Sequence, residues 1–296
     1  MSNSAIQRFA TSLRVLGALA IALVLSNIAD ANPQPAATDA SAFVVEGYTR
    51  LEEGNLEDAL VAFDKALEAD AEDIPALLGQ ARIYSGQQRH ADAFQKYDTI
   101  VQIHPRHSEA WGGRGLAAFG LEDFDTALTS FENATADKPV NGFIYESLAW
   151  TRMCRGEFTE AAETAKTATI MYHREGEKPI YPLLIAYFSY LESADMEKAK
   201  KTLTYIVKNT PGRKWPAPVV DYLAGRIDAH NLIGFVTNRA EETEAHTYIG
   251  LVLRAAGRFD QSEKHLDWVR NKGDTRVFEY TLARALNLRT SVALAE

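Results

Sequence analysis

The sequence predicts an all-α fold: a right-handed α-solenoid of about six helix-turn-helix units that ends in a C-terminal capping helix. The first supporting observation is an internal repeat with a 34-residue period over four units, continued by a fifth unit after a four-residue slip and by a sixth after an interruption. The second is that small and large side chains recur at fixed positions of the repeat. The units start at Ala40, Ile74, Ser108, Gly142, Ile180 and Thr243.

Two positions of the repeat indicate that each unit is a hairpin of two helices. Position 20 is always small, which lets the two helices of a hairpin cross closely, and position 24 is mostly large, which fills the space toward the next hairpin. Such a hairpin cannot cover its own apolar face, so it has to stack on its neighbours. Position 20 holds Ala59, Ala93, Ala127, Ala161, Ala199 and Ser262, and position 24 holds Phe63, Tyr97, Phe131, Ala165, Leu203 and Leu266.

Residues 1–31 are predicted to be a secretory signal peptide. Arg8 and Arg14 precede an apolar run over residues 15–25, and Ala29-Asp30-Ala31 follows as a small-x-small cleavage site. The run is too short to cross a hydrocarbon core of about 30 Å comfortably, so cleavage near Ala31 is favoured over a permanent anchor. We expect a periplasmic or secreted protein without stable membrane insertion, in which residues 32–39 form a flexible lead.

The rest of the chain divides into three predicted segments. Residues 40–213 hold the first five units, and residues 214–242 form a helical break that lacks the repeat pattern. The break begins with Trp215-Pro216-Ala217-Pro218, a rigid turn that resets the chain direction. Residues 243–290 form a last unit and the capping helix.

The third unit shows most clearly that the repeat resembles the tetratricopeptide repeat (TPR), a 34-residue helix-turn-helix family. The resemblance implies the solenoid fold and a concave groove lined by the first helices. The residues of unit three that fall on the family pattern are Trp111, Gly115, Phe124, Ala127, Phe131, Ala134 and Pro139.

Residues 180–290 also resemble the C-terminal half of NlpI-like TPR proteins of the bacterial envelope. The resemblance rests on the Trp215-Pro216 turn, the segment AHTYIGLVLRAAGRF and the segment FEYTLARA. It implies an envelope scaffold that holds other proteins, and it implies no catalytic residues. The chain departs from this pattern because no cysteine stands at the cleavage point to carry a lipid.

The predicted partner-binding groove is apolar and aromatic at its centre, because the 3.6-residue period places one stripe of each first helix on the concave side. An amphipathic helix or an extended apolar segment of a partner would bury such a stripe, with Arg82 and Glu146 orienting it. The alternative is that these side chains pack within the chain and serve stability alone. The candidate residues are Tyr48, Arg82, Leu116, Phe119, Glu146, Trp150, Met153, Phe188 and Leu191.

Two classes of ligand are disfavoured. With 31 basic and 40 acidic residues the net charge is -9, which opposes binding to nucleic acid. The two-charge grip by which some TPR domains hold acidic C-terminal peptides needs Lys or Arg at position 2 and Asn at position 9. Position 9 is never Asn here, and position 2 is Ser41, Pro75, Glu109, Phe143 and Tyr181.

Catalytic, cofactor and metal sites are not predicted. His104 and His107 could share a metal, but no third ligand is fixed by the sequence, and exposed turn histidines are the expected reading. The single cysteine, Cys154, is expected to be a small buried hydrophobe. Gly113 and Gly115 lie inside a first helix, where they allow close packing.

The expected function is therefore a non-catalytic scaffold or adaptor that binds envelope or secreted proteins in the groove. One alternative is self-assembly, as a homodimer or larger oligomer, through the break around Trp215. Another is an enzyme with a site at the break.

Overall fold

The structure, a computed structural model, describes residues 35–136, 141–177, 179–210, 212 and 214–293, with side-chain surroundings from residue 40 to residue 286. The described residues form helices and turns, without a strand, as the sequence predicts. They fall in two compact units, residues 35–136 and residues 141–293. The predicted signal peptide lies outside the described residues. Among the helices described, none is long and apolar enough to cross a membrane.

The N-terminal unit consists of three helical hairpins. Its first helix begins at Pro35, inside the segment predicted to be a flexible lead, and ends at Glu52. Each helix packs on the next along the chain. The helices are α1 Pro35–Glu52, α2 Leu56–Ala69, α3 Ile74–Gly86, α4 His90–Ile103, α5 Ser108–Gly120 and α6 Phe124–Ala136.

The C-terminal unit continues with two hairpins, then two short helices, a last hairpin and a final helix. The two short helices occupy the predicted break, and the last hairpin begins at Arg239, four residues before the predicted start of unit six. The helices are α7 Gly142–Arg155, α8 Phe158–Arg174, α9 Tyr181–Glu192, α10 Met196–Asn209, α11 Ala217–Leu223, α12 Ala229–Gly234, α13 Arg239–Ala255, α14 Phe259–Lys272 and α15 Phe278–Ala293.

The predicted register of the repeat agrees with the helix boundaries. First helices begin at position 1 of units two, three and four, at Ile74, Ser108 and Gly142. Every second helix begins at position 17. These second-helix starts are Leu56, His90, Phe124, Phe158, Met196 and Phe259.

Side-chain caps fix several of these starts. The Asp73 carboxylate accepts from the backbone N–H of Ala76, and the Asn141 side chain accepts from that of Ile144. Each cap satisfies an N–H that has no partner within its helix. Gly156 ends α7 in the left-handed conformation, at φ 82°, which a glycine adopts without strain.

The large residue at position 24 is wedged between two first helices. A Cβ added at Gly47, in the same hairpin as Phe63, would lie 2.5 Å from the Phe63 ring, and a Cβ at Gly79, in the next hairpin, would lie 2.3 Å from it. Tyr97 makes the same close approach to Gly113 of the following unit. Position 24 therefore joins consecutive hairpins, as predicted, and also fills its own hairpin.

The break is tied to the last hairpin by a buried carboxylate. The indole N–H of Trp215 donates to Glu244 of α13 at 2.7 Å, and the Tyr181 hydroxyl of α9 donates to the same carboxylate at 3.0 Å. Glu244 is 1% exposed. Because α13 also packs against α9 and α11, the last hairpin is joined to the fifth across the break. The final helix, α15, packs against α7, α13 and α14.

Candidate partner-binding face

The nine predicted groove residues, called here the first-helix face, are mostly buried. Leu116 and Leu191 are half-buried. The other seven are at most 6% exposed, so the face is not an open apolar surface in this structure. These seven are Tyr48, Arg82, Phe119, Glu146, Trp150, Met153 and Phe188.

In the C-terminal unit, later helices of the same chain cover the first-helix face. The ring of Phe278 in α15 is stacked on Trp150 of α7, with centroids 5.9 Å apart and planes at 2°. Phe188 of α9 is stacked on Tyr248 of α13 at 5.3 Å and 3°. Of the two predicted alternatives, packing within the chain is the one that the structure favours for these aromatic residues.

The Glu146 carboxylate also has a hydrogen-bond donor within its own hairpin. Its carboxylate is 1% exposed and accepts from the Tyr172 hydroxyl of α8 at 2.8 Å. A second pair of this kind joins Tyr248 to Glu279 of α15 at 2.5 Å. A buried carboxylate needs such donors to offset its lost hydration. Glu146 therefore orients a helix of its own hairpin, which differs from its predicted role of orienting a partner.

The N-terminal unit keeps an unused donor on this face. Arg82 of α3 is 6% exposed, and its Nη2 donates to Glu109 of α5 at 2.5 Å. Its Nη1 is buried and has no hydrogen-bond partner among the described residues. The neighbouring Tyr48 of α1 uses its hydroxyl to donate to the Pro75 carbonyl at 2.9 Å. Burying an unpaired donor costs about 1–3 kcal/mol.

Tyr48 and Arg82 each keep one protonation state at neutral pH. Burial raises the pKa of Tyr48 to about 12, with Arg82 opposing the shift, so the hydroxyl stays protonated. Burial lowers the pKa of Arg82, but the nearby Glu109 and Tyr48 outweigh this, and the net shift is upward. Arg82 therefore stays cationic, with the Glu109 carboxylate accepting from its Nη2.

The predicted turn histidines have separate environments. The Nδ1 atom of His107 accepts from the backbone N–H of Ala110 at 3.2 Å and so caps α5, while His104 is exposed. Within the described ranges, no group of three or more His, Cys, Asp or Glu side chains is arranged to hold a metal ion. Cys154 is 3% exposed.

One histidine pair was not anticipated from the sequence. His246 of α13 and His265 of α14 bring their Nδ1 atoms to 3.1 Å, and His246 is stacked on Trp268 at 4.1 Å and 11°. Burial, followed by the neighbouring His265, lowers the pKa of His246 to about 4. The two histidines occupy positions 4 and 23 of unit six, on facing helices, which is the one sequence signal for the pair.

Part of the repeat region matches a known family. The tetratricopeptide repeat family matches residues 50–117 and, with a second pattern, residues 113–174. Protein CTR9 homolog of Arabidopsis thaliana is 31% identical over 102 residues, which are 34% of this chain and 9% of that protein. Tetratricopeptide repeat protein 33 of Xenopus laevis is 30% identical over 121 residues, which are 40% of this chain and 47% of that protein. The chain thus spans less than half the length of either relative.

Solved structures with the same helical arrangement have low sequence identity. A tetratricopeptide repeat protein from Parabacteroides merdae has a TM-score of 0.60 at 12% identity, covering 84% of this chain and 98% of that one. YrrB, described as a TPR protein with an unusual peptide-binding site, has a TM-score of 0.55 at 18% identity, covering 64% and 93%. MamA has a TM-score of 0.54 at 20% identity, covering 58% and 91%. TPR domains generally mediate protein–protein interactions. The chain has the helical solenoid fold of these proteins, and residues 50–174 match the tetratricopeptide repeat family.

Proposed function

We propose that this protein is a non-catalytic scaffold of the bacterial cell envelope that binds a segment of a partner protein on the first-helix face of its N-terminal unit. The observation that carries this proposal is the buried Nη1 of Arg82, a cationic donor without an acceptor among the described residues. A backbone carbonyl or a carboxylate of a bound segment would supply that acceptor. The half-buried Leu116 of α5 lies on the same predicted stripe and would contact the apolar side of the segment.

The C-terminal unit has a different role in this proposal. Its first-helix face is filled by α13 and α15, so its aromatic residues stabilise the unit. In this proposal the partner binds to the N-terminal unit. The C-terminal unit is a folded end of the scaffold and binds no partner on its first-helix face. The resemblance of residues 180–290 to NlpI-like envelope proteins supports this assignment of a scaffold.

Export is the second part of the proposal. Arg8 and Arg14 followed by an apolar run and Ala29-Asp30-Ala31 support cleavage near Ala31 and release into the periplasm or the medium. Fractionation of the native organism with N-terminal sequencing checks this part. A mature chain that begins at Asn32 is expected, and a cytoplasmic chain that retains Met1 would refute export.

The binding site is tested by co-precipitation of the full chain, tagged at its C terminus, from the native organism. Arg82→Gln and Leu116→Ala are compared with matched controls, Arg89→Gln and Leu191→Ala. Arg89 is an exposed arginine paired with Asp92, and Leu191 is the half-buried leucine of the C-terminal unit.

We expect a short set of proteins that is lost with both N-terminal variants and retained with both controls, while circular dichroism shows that all four variants fold. Retention of the same proteins by Arg82→Gln and Leu116→Ala would place binding elsewhere and refute the site. A reproducible enzymatic activity that is lost on changing one polar residue of the break would refute the non-catalytic assignment.

A further inference from the structure

The second helix of the fifth unit, α10, buries fewer residues than the second helices of the first two units. It buries only Ala199 and Ile206, whereas α2 and α4 bury four residues each. The reason is the break, because a complete next hairpin does not follow α10, and the seven-residue helix α11 takes its place. The outer side of α10, which carries positions 18, 22, 25 and 29 of the repeat, is exposed, as the same positions are in α2.

This face is basic, with an aromatic side chain at its centre. Helix α10 carries four lysines and one carboxylate, Glu197, which makes an exposed ion pair with Lys201. Lys201, Thr204 and Lys208 follow one another at the spacing of one helix face and are exposed. Tyr205 beside them is 44% exposed. Tyrosine is enriched at protein interfaces, whereas lysine is depleted there, so Tyr205 is the residue of this face that is typical of a contact surface.

The second helix of the first unit, α2, presents the opposite charge at the same positions of the repeat. Glu57, Val61, Asp64 and Glu68 stand at positions 18, 22, 25 and 29, where α10 has Glu197, Lys201, Thr204 and Lys208. All four residues of α2 are exposed, and Val61 is 52% exposed. No ion pair holds Glu57 or Glu68 in the described part of the chain.

The N-terminal and C-terminal units as a whole also differ in charge. Residues 35–136 carry 18 acidic and seven basic side chains, and residues 141–293 carry 19 acidic and 21 basic side chains. One copy therefore offers a strongly acidic unit, and another copy can approach it with a weakly basic unit. Opposite fields of this kind steer association and fix the orientation of the partners.

We infer that the outer face of α10 binds the outer face of α2 of a second copy, with Lys201 and Lys208 facing Glu57 and Glu68, and Tyr205 against Val61. The contact with the second copy replaces the exposed ion pair within α10. The contact joins two different surfaces, so each copy keeps one surface free after binding another. Such head-to-tail contacts extend into rings or open chains. A contact between single helix faces is small, so the assembly forms and dissociates with concentration.

The test uses the purified full chain alone and does not depend on partner binding at Arg82. Sedimentation velocity is measured over a concentration series at about 0.01 M and about 1 M salt, between which the Debye length falls from about 30 Å to about 3 Å. We expect a mass that grows with concentration at low salt and a monomer at high salt. A monomer at every protein concentration in low salt would overturn the inference. The outer face of α10 would then be expected to bind an acidic partner of another kind.

Two charge-reversed variants identify the surfaces. In the variant Lys201→Glu/Lys208→Glu, the outer faces of α2 and α10 are both acidic. In the variant Glu57→Lys/Glu68→Lys, the same two faces are both basic. Each variant alone is expected to remain monomeric, because both of its faces carry the same sign, while an equal mixture of the two regains the wild-type mass distribution. The changed residues are exposed, so circular dichroism should show an unaltered fold.

Assembly that persists in either variant, or that ignores salt, would indicate a contact elsewhere, such as the break around Trp215, and would overturn the assignment. Failure of the mixture to assemble would also overturn it.

Discussion

Phe278 and Trp150 lie face to face across the C-terminal unit, with ring centroids 5.9 Å apart and planes at 2°. Trp150 belongs to the first helix of unit four, and Phe278 opens the final helix of the chain. Aromatic pairs contribute about 0.5–1.5 kcal/mol beyond the area they bury. The pair therefore fastens α15 onto α7, and it converts a predicted binding groove into the core of a folded unit.

Phe278→Ala should loosen α15 and expose the side of α7 that carries Trp150. Cys154 lies one turn further along the same face, and it is the only cysteine of the chain, so its thiol reports on this site alone. A loss of about 1.4 kcal/mol raises the open population about tenfold. The reaction of native protein with a disulfide reagent should therefore be at least about tenfold faster in Phe278→Ala.

Phe259→Ala is the matched control for this measurement, because Phe259 is 61% exposed at the start of α14. Its thiol reaction should proceed at the wild-type rate. An unchanged rate in Phe278→Ala, with normal circular dichroism, would show that α15 does not shield Cys154.

Gly115→Ala should destabilise the N-terminal unit. An added Cβ would meet the Phe131 ring at 2.8 Å, and inserting a methyl group into such a packed site costs about 1–3 kcal/mol. Gly86 is also helical, but a Cβ there meets nothing within 4 Å. Gly86→Ala should therefore stabilise by about 0.4–1 kcal/mol through the unfolded chain. Urea unfolding of both variants measures the difference, and equal midpoints would contradict the packing of position 24 against position 8.

The repeat register could be predicted because it depends on local spacing. Small residues such as Ala127 and large ones such as Phe131 recur at fixed offsets, and the helix starts follow them to the residue in units two to four. Contacts such as Phe63 with Gly79 lie between neighbouring units, so the period of the sequence already contains them.

The covering of the first-helix face could not be predicted in the same way. The contact of Trp150 with Phe278 spans most of the C-terminal unit, and nothing in the 34-residue pattern specifies which later helix returns to α7. The link from Trp215 to Glu244 likewise crosses the break, where the repeat offers no register. Arg82 was recognisable as a charged residue on an apolar stripe, but the pairing of only one of its terminal nitrogens depends on the position of Glu109.

Glu244→Ala should destabilise the C-terminal unit by about 2 kcal/mol or more. The substitution leaves the buried Tyr181 hydroxyl and the half-buried Trp215 indole without their shared acceptor, and an unsatisfied buried donor costs about 1–3 kcal/mol. Glu244→Gln keeps one acceptor oxygen and should lose less. Glu242→Ala is the control, since Glu242 makes an exposed pair with Arg239 that is worth under about 1 kcal/mol. Equal loss in Glu244→Ala and Glu242→Ala, measured by urea unfolding, would show that the buried carboxylate does not hold the break.

Stability should fall in mild acid because of His246 and His265. The pKa of His246 is lowered to about 4 by burial and by the adjacent His265, so the folded protein holds this ring neutral while the unfolded chain binds a proton near pH 6.5. The unfolded state therefore gains more protons as the pH falls. The stabilisation is complete above about pH 6.5 and is lost progressively toward pH 4. Melting temperatures measured across this pH window should decline less steeply in His246→Phe than in the wild type, and this variant keeps a ring against Trp268. The control is His230→Gln, at an exposed site on α12, which should follow the wild type. Parallel curves for His246→Phe and the wild type would show that acid acts on other groups.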